Sequence, residues 1–429
     1  MAQVIRGRIL SFRRHPETAD DHDAFDYYDD GAVVVADGKI AAIGDFAGLC
    51  NRGAVIDHRP HLILPGFIDP HIHFPQAEVI AAYATALLDW LSDHTFPAEA
   101  RFADPDHGAR IAGHFFDDLL RNGTTSVSAF CSSHPASVDA FFGAAEHRNM
   151  AVFGGKTMMD RNAPDPVLDN AQSAHDDSAA LIARWHRRGR GRYVISPRFA
   201  ITSTEAQLDA AGALARAHPD CLIQTHMSEN RAEIALVAEL FPDARDYLDV
   251  YERFGLISDR ALLGHCIHLT EREQARMAET GAVAVHCPTS NLFLGSGLFD
   301  FFGLSAAGIR SAVATDIGGG TSYSMLKTLD EAYKIQQLRG QRLNPYLAFF
   351  WATLGNAEAL QAADRIGTLA PGTDADLVVL NAAATPAMAL RRDRIGSLAE
   401  ELFLLQTLGD DRAVAEVYVA GVACKPGGA

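Results

Sequence analysis

The sequence predicts an α/β protein: a (β/α)8 TIM-like barrel carrying a small β-sandwich built from both chain ends. Three observations predict it. A strand-then-helix rhythm repeats through the middle of the chain, giving eight βα units over about 290 residues. Short β-rich runs without that rhythm occupy the two ends. Histidines and acidic residues recur where the middle strands finish, and such barrels place their reactive groups at the carboxyl ends of their strands.

At the amino end, Gly31–Ala36 and Lys39–Gly44 are β-rich runs around Asp37-Gly38, a hairpin signal. At the carboxyl end, Asp374–Leu380 and Val414–Val422 read as strands. Neither end is long enough for a comfortable core of its own. Packing the two together gives one composite domain, 1–64 plus 368–429, with the barrel, 65–367, inserted between them.

The barrel strands are expected at 62–68, 124–130, 150–155, 193–200, 221–226, 261–265, 282–286 and 311–315. Helices fill most gaps, including Thr204 to Ala217, Asn230 to Leu240, Thr270 to Glu279 and Ser324 to Leu338. Thr204 and Thr270 are N-caps with acidic residues soon after them, as a helix start favours.

Composition narrows the function. The chain has 429 residues and a net charge of −17, with a pI near 5.4, so a nucleic-acid backbone is repelled on average. The concentrated basic run, Arg187-Arg188-Gly189-Arg190-Gly191-Arg192, reads as a solvated turn before a strand. Six cysteines are scattered without a CxxC pair, which fits buried free thiols in a reducing cytosol. No continuous apolar segment marks the N-terminus, and no window of eighteen apolar residues occurs. A soluble, cytoplasmic protein without membrane partners is expected.

The candidate site is assembled from strand ends. His71 and His73, in Asp69-Pro70-His71-Ile72-His73, are two apart, so on a strand they share a face. His226 closes Cys221–Thr225, with Glu229 three residues on; His265 ends Ala261–Gly264; Asp316 ends Ser311–Thr315. Three imidazoles and a carboxylate suit one divalent ion with a position left for water, whose pKa then falls from about 16 towards 7. Asp316 is placed to take that water's proton, and His265 to hydrogen-bond the same oxygen. Glu229 can carry a proton to a ring nitrogen and then to a leaving group. This division of labour fits hydrolytic deamination of an aromatic heterocycle. A second metal would need a bridging group such as a carboxylated lysine. Lys156 ends the third strand, however, and the fourth, ending Ser196-Pro197-Arg198-Phe199, has none. Gln76 offers donor and acceptor to a lactam edge, Arg198 a hydrogen bond, and Phe199 a stacking face. Gly318-Gly319-Gly320 lacks the Lys-Ser/Thr of a phosphate loop and reads as a close-approach turn.

These motifs resemble the amidohydrolase superfamily and, within it, the guanine deaminases, over nearly the whole chain. The resemblance is carried by Pro65-Gly66-Phe67-Ile68-Asp69-Pro70-His71-Ile72-His73 with Phe74-Pro75-Gln76, and by Ser196–Phe199, Thr225–Glu229, Gly264-His265-Cys266, His286–Leu292, Thr315–Gly320 and Ser322–Leu326. It implies that His71, His73, His226 and Asp316 bind one zinc per subunit, with iron(II) fitting the same donors. It places His265 in or against the metal shell and makes Glu229 the proton shuttle. Gln76, Arg198 and Phe199, with His226 and Glu229, would contact the purine base. The implied reaction is guanine plus water giving xanthine and ammonia, a step of purine catabolism, in a homodimer. His268 stands where an aromatic residue is expected, so two histidines compete to face the metal; strand-end placement favours His265. The alternatives are a mononuclear relative acting on 8-oxoguanine, a pterin or a triazine, and a non-catalytic barrel scaffold.

Overall fold

The computed structural model describes residues 2–83 and 87–427; the outermost residues of the expected end domain, 1 and 428–429, lie outside them. The strands, in chain order, are β1 (Gln3–Phe12), β2 (Phe25–Ala36), β3 (Lys39–Asp45), β4 (Ala54–Pro65), β5 (Phe67–His73), β6 (Thr124–Cys131), β7 (Ala151–Met158), β8 (Gly191–Pro197), β9 (Leu222–Met227), β10 (Ala261–His265), β11 (Val283–His286), β12 (Arg310–Val313), β13 (Leu377–Leu380), β14 (Val414–Val419) and β15 (Val422–Ala423). They form two sheets. One runs β15-β14-β13-β4-β1-β2-β3, joining both chain ends; the other runs β5 to β12 in sequence order.

In the end-built sheet, β2 and β3 pair antiparallel across Asp37-Gly38, both at positive φ, as a tight hairpin demands. Its seven strands are one hydrogen-bonded sheet, and Ile5, Ile9, Val33, Val35, Ile63, Leu377 and Val379 close a core of their own. The opposite face joins the main core through Leu10, Phe12, Leu62, Leu64, Val378 and Leu380.

The expected first barrel strand, 62–68, is divided between the sheets. Leu62–Pro65 pairs with Leu377–Leu380 in the end-built sheet, Gly66 N donates to Asp376 O at 2.9 Å, and the barrel begins only at Phe67. An apolar run buried on both faces carries no alternation to mark where it leaves one sheet for the next. The shift puts both His71 and His73 inside the strand, at its carboxyl end.

The barrel strands pair parallel from β5 to β12. Ile68, Phe153, Val194, Leu222, Leu262 and Val283 fill the interior, and helices cover the outside. The expected helices are present with side-chain caps: Thr204 accepts from Gln207 N, Asn230 from Glu233 N, Thr270 from Glu273 N and Ser324 from Lys327 N. The seam between first and last strands is closed largely by side chains. Asn356 Nδ2 donates to Ile68 O (2.7 Å) and Val313 O (2.8 Å), while its Oδ1 accepts from Val313 N (3.0 Å). Asp69 accepts from Thr315 N and Oγ1. Beyond β12, Asp316 N donates to His71 O at 3.0 Å and His73 N to Ile317 O at 2.6 Å.

The basic run is not uniformly solvated. Arg187 and Arg188 are exposed and pair with Asp220 and Glu146, but Arg190 is nearly buried against Asp374 and Asp376 of the end-built sheet. The acidic partners lie far along the chain, so local composition could not reveal the burial. All six cysteines are free, four of them buried. Among the described residues no helix is long and apolar enough to cross a membrane.

Candidate functional site

Four groups converge at the carboxyl ends of the barrel strands. The ligand atoms of His71 and His73 from β5, His226 from β9 and Asp316 beyond β12 lie within 4.8 Å of one another, all buried. His73 Nε2 and His226 Nε2 stand 3.0 Å apart. Asp316 Oδ1 is 3.4 Å from Nε2 of both His71 and His73. His226 Nδ1 donates to Arg198 O at 2.7 Å. A carbonyl oxygen only accepts, so the Nδ1 proton is fixed and Nε2 presents its lone pair to the cluster. Neither ring nitrogen of His71 has a hydrogen-bonding partner in the protein, although both are buried. Burial without a partner is costly; a divalent cation among these donors would take up the Nε2 lone pair.

The electrostatics agree. Burial, with the neighbouring imidazoles and Arg198, holds His73 and His226 well below the usual histidine range, so both rings are neutral at physiological pH, as a metal donor must be. Burial pushes Asp316 upward, but the adjoining His71 and His265 rings more than offset this and hold its carboxyl below the ordinary range.

His265 ends β10 with Nε2 3.5 Å from Glu229 Oε2 and 3.9 Å from Asp316 Oδ2. Its Nδ1 meets Asn291 Nδ2 at 2.9 Å, and burial lowers its pKa to about 4. His268 points elsewhere, with Nε2 on Ser296 O at 2.9 Å. His265 and Asp316 adopt left-handed backbone conformations, with φ of 72° and 55°. Such conformations cost non-glycine residues about 1–3 kcal/mol and cluster at functional sites. The Gly318-Gly319-Gly320 turn is tight: a Cβ on Gly320 would lie 1.8 Å from Thr315 O. Lys156 is remote from the cluster, its Nζ 2.6 Å from Asp169.

Glu229 follows β9. Ser296 Oγ donates to its Oε1 at 2.7 Å, yet burial and the nearby Glu233 and Asp316 push its carboxyl well above the ordinary range. A carboxyl group raised in this way holds its proton to higher pH than a free one and is suited to act as an acid.

Beside the cluster lies a narrow pocket. Gln76, Arg198, Phe199 and Glu229 line it, and Leu87, Trp90, Leu91 and Leu294 supply apolar surface. Gln76 and Arg198 share a partner: Gln76 Nε2 donates to Glu99 Oε1 at 2.9 Å, and Arg198 Nη1 to both Glu99 oxygens at 2.8 Å.

The profile described as "Amidohydrolase family" matches residues 62–424. The chain belongs to the amidohydrolase family. It is 44% identical over 424 residues to the guanine deaminase of Escherichia coli (strain K12), covering 98% of this chain and 97% of that protein. Among solved structures, E. coli guanine deaminase superposes with a TM-score of 0.95 at 43% identity, covering 99% of this chain and 98% of that one. The guanine deaminase from C. acetobutylicum with bound guanine in the active site gives 0.89 at 29% identity, covering 99% and 100%.

Amidohydrolases are metal-dependent, and the His/Asp cluster of this one is built accordingly. Five residues that shape or support the site were not assigned a role from sequence. Glu99 sits in Phe96-Pro97-Ala98-Glu99, where nothing local distinguishes it, and its meaning depends on meeting Gln76 and Arg198. Ser296 and Asn291 support Glu229 and His265; the family-like His286–Leu292 stretch was a signal for Asn291 but not for its partner. Trp90 and Leu91 line the pocket without any local signal in the sequence.

Proposed function

We propose that this amidohydrolase deaminates guanine, consuming water and releasing xanthine and ammonia. Near full-length similarity to guanine deaminases, at 44% identity, carries the reading. The pocket that sets Gln76 and Arg198 beside Glu229 and the donor cluster supports it.

His71, His73, His226 and Asp316 would hold one divalent cation, zinc in this proposal, with His265 against its shell. When bound, such an ion lowers the pKa of a water towards 7. Asp316 takes a proton from the attacking water, and His265 Nε2 hydrogen-bonds the same oxygen. Glu229 donates its proton to a ring nitrogen beside the attacked carbon, so charge does not accumulate on the ring. The carboxylate it becomes takes up the proton that Asp316 removed from the water and delivers it to the exocyclic nitrogen. The carbon–nitrogen bond then breaks and ammonia leaves, while the added hydroxyl becomes the carbonyl of the oxo-purine and returns its proton to Glu229. Gln76 and Arg198 read the polar edge of the base, and Phe199 packs on its face. His226 and Glu229 border the base on the cluster side.

The reading extends to a cytoplasmic homodimer with two units, 1–64 plus 368–429 and 65–367, in purine catabolism. The acidic chain and its free buried thiols support the compartment. Light scattering on the purified protein tests the dimer.

A steady-state panel of guanine, 8-oxoguanine, adenine, cytosine and ammeline tests the activity. Guanine is expected to have the highest kcat/KM. Another ring preferred by about tenfold or more would move the assignment to a different heterocycle. Metal analysis is expected to find one equivalent of zinc, and loss of activity on chelation should reverse when zinc is restored.

A further inference from the structure

Glu99 touches both polar side chains expected to read the substrate, and it is 1% exposed. Arg198 is 3% exposed. Both oxygens of Glu99 take up Nη1 of Arg198 at 2.8 Å, and Oε1 also accepts from Gln76 Nε2 at 2.9 Å. Gln76 Oε1 accepts in turn from Gly318 N at 3.3 Å, which fixes the amide's orientation. The Phe96 ring lies 5.4 Å from the Arg198 guanidinium carbon. Among the described residues no protein acceptor meets Nε or Nη2 of Arg198, and this residue lines the pocket. Glu99 therefore does two things to the recognition edge. It selects which side of the guanidinium is offered, and it cancels the cation's charge in a place where water cannot.

We propose that Glu99 is a positioning and charge-selecting residue: paired with Arg198, it makes the recognition edge neutral, so the pocket takes a neutral aminopurine and does not retain its oxo-purine product as an anion. The proposal rests on the guanine reading above. Deamination replaces an amino group with an oxo group, which makes the ring N–H more acidic, so xanthine ionises near neutral pH while guanine stays uncharged. An unpaired arginine in a dry pocket would hold that anion. The same segment that carries Glu99 also supplies Leu87, Trp90 and Leu91 to the pocket, so the ion pair additionally ties this apolar wall to the barrel.

The test uses metal-loaded wild type, E99Q and the double variant E99Q/R198Q. Equilibrium binding of xanthine is measured from about pH 6.5 to about pH 8.5, together with kcat and KM for guanine. In E99Q, xanthine binding is expected to tighten by about tenfold as xanthine ionises, with no such tightening in wild type or in the double variant. KM for guanine should rise by about tenfold while kcat changes less. His73, His226, Glu229, His265 and Asp316 also face the pocket, but they are common to all three proteins. Their titration therefore cannot produce the difference. Identical pH dependence in wild type and E99Q would overturn the proposal. Failure of wild type to turn over guanine would sink the functional reading alone, since xanthine binding is read independently of turnover. Should E99Q not fold, E99D decides: it keeps the charge but shortens the reach. A raised KM without tighter xanthine binding is expected, and an unchanged KM counts against Glu99.

Discussion

Gly264 on β10 faces His71 on β5 so closely that a methyl group at Gly264 would lie 2.6 Å from Cε1 of the ring. The absent side chain leaves the space that this donor occupies. Gly264→Ala is therefore expected to displace His71 and cut bound metal by about tenfold or more, with a stability loss of about 1–3 kcal/mol from overpacking. Metal analysis beside a thermal melt checks it. Full metal content in a well-folded G264A protein would show that His71 does not need this gap.

Glu229→Gln keeps the hydrogen bond to Ser296 and the shape of the pocket but removes the transferable proton. It should retain metal and lose about 10²–10⁴-fold in kcat. Near-normal kcat would remove Glu229 from proton transfer.

Asn356 joins Ile68 to Val313 with three hydrogen bonds while 0% exposed. Asn356→Ala leaves buried backbone groups at the barrel seam unpaired. A loss of about 3 kcal/mol is expected, read from urea unfolding. A loss below about 1 kcal/mol would mean that the seam is held by Asp69 and Thr315 instead.

Arg190→Ala strips the buried partner from Asp374 and Asp376, with an expected cost of about 3–5 kcal/mol at neutral pH. The pH dependence has a definite sign. Burial pushes Asp374 up, but Arg190, Lys39 and Arg365 hold it below the ordinary carboxylate value of 3.8. A carboxyl lowered on folding stabilises fully above that ordinary value, and its contribution drains away as pH falls through the lowered one. The gap in stability between wild type and R190A should accordingly be widest at neutral pH and narrow below about pH 3.8. Denaturation midpoints at several pH values measure it; a gap that widened in acid would contradict this account.

Much of the site was legible because each strand advertises its own end. His71 and His73 are two apart on a strand, and His226, His265 and Asp316 each terminate an apolar run. The caps Thr204 and Thr270 were equally plain, since a helix start is written within four adjacent residues. The crossing from β4 to β5 was not: Leu62 to Ile68 is one apolar run, and the choice of sheet is made by Leu377–Leu380, which pairs with its first half.

The sequence by itself determined the alternation of strands and helices, the joining of the two ends, and which residue types arrive at the barrel mouth. Periodicity and capping act between near neighbours, so they survive in a linear reading. Only the tertiary structure decided that Glu99 partners Gln76 and Arg198, that His268 turns to Ser296 and leaves His265 at the cluster, and that Arg190 is buried. The partner of a buried polar group is whichever group the packed chain brings within about 3 Å of it, and no spacing along the chain encodes that distance.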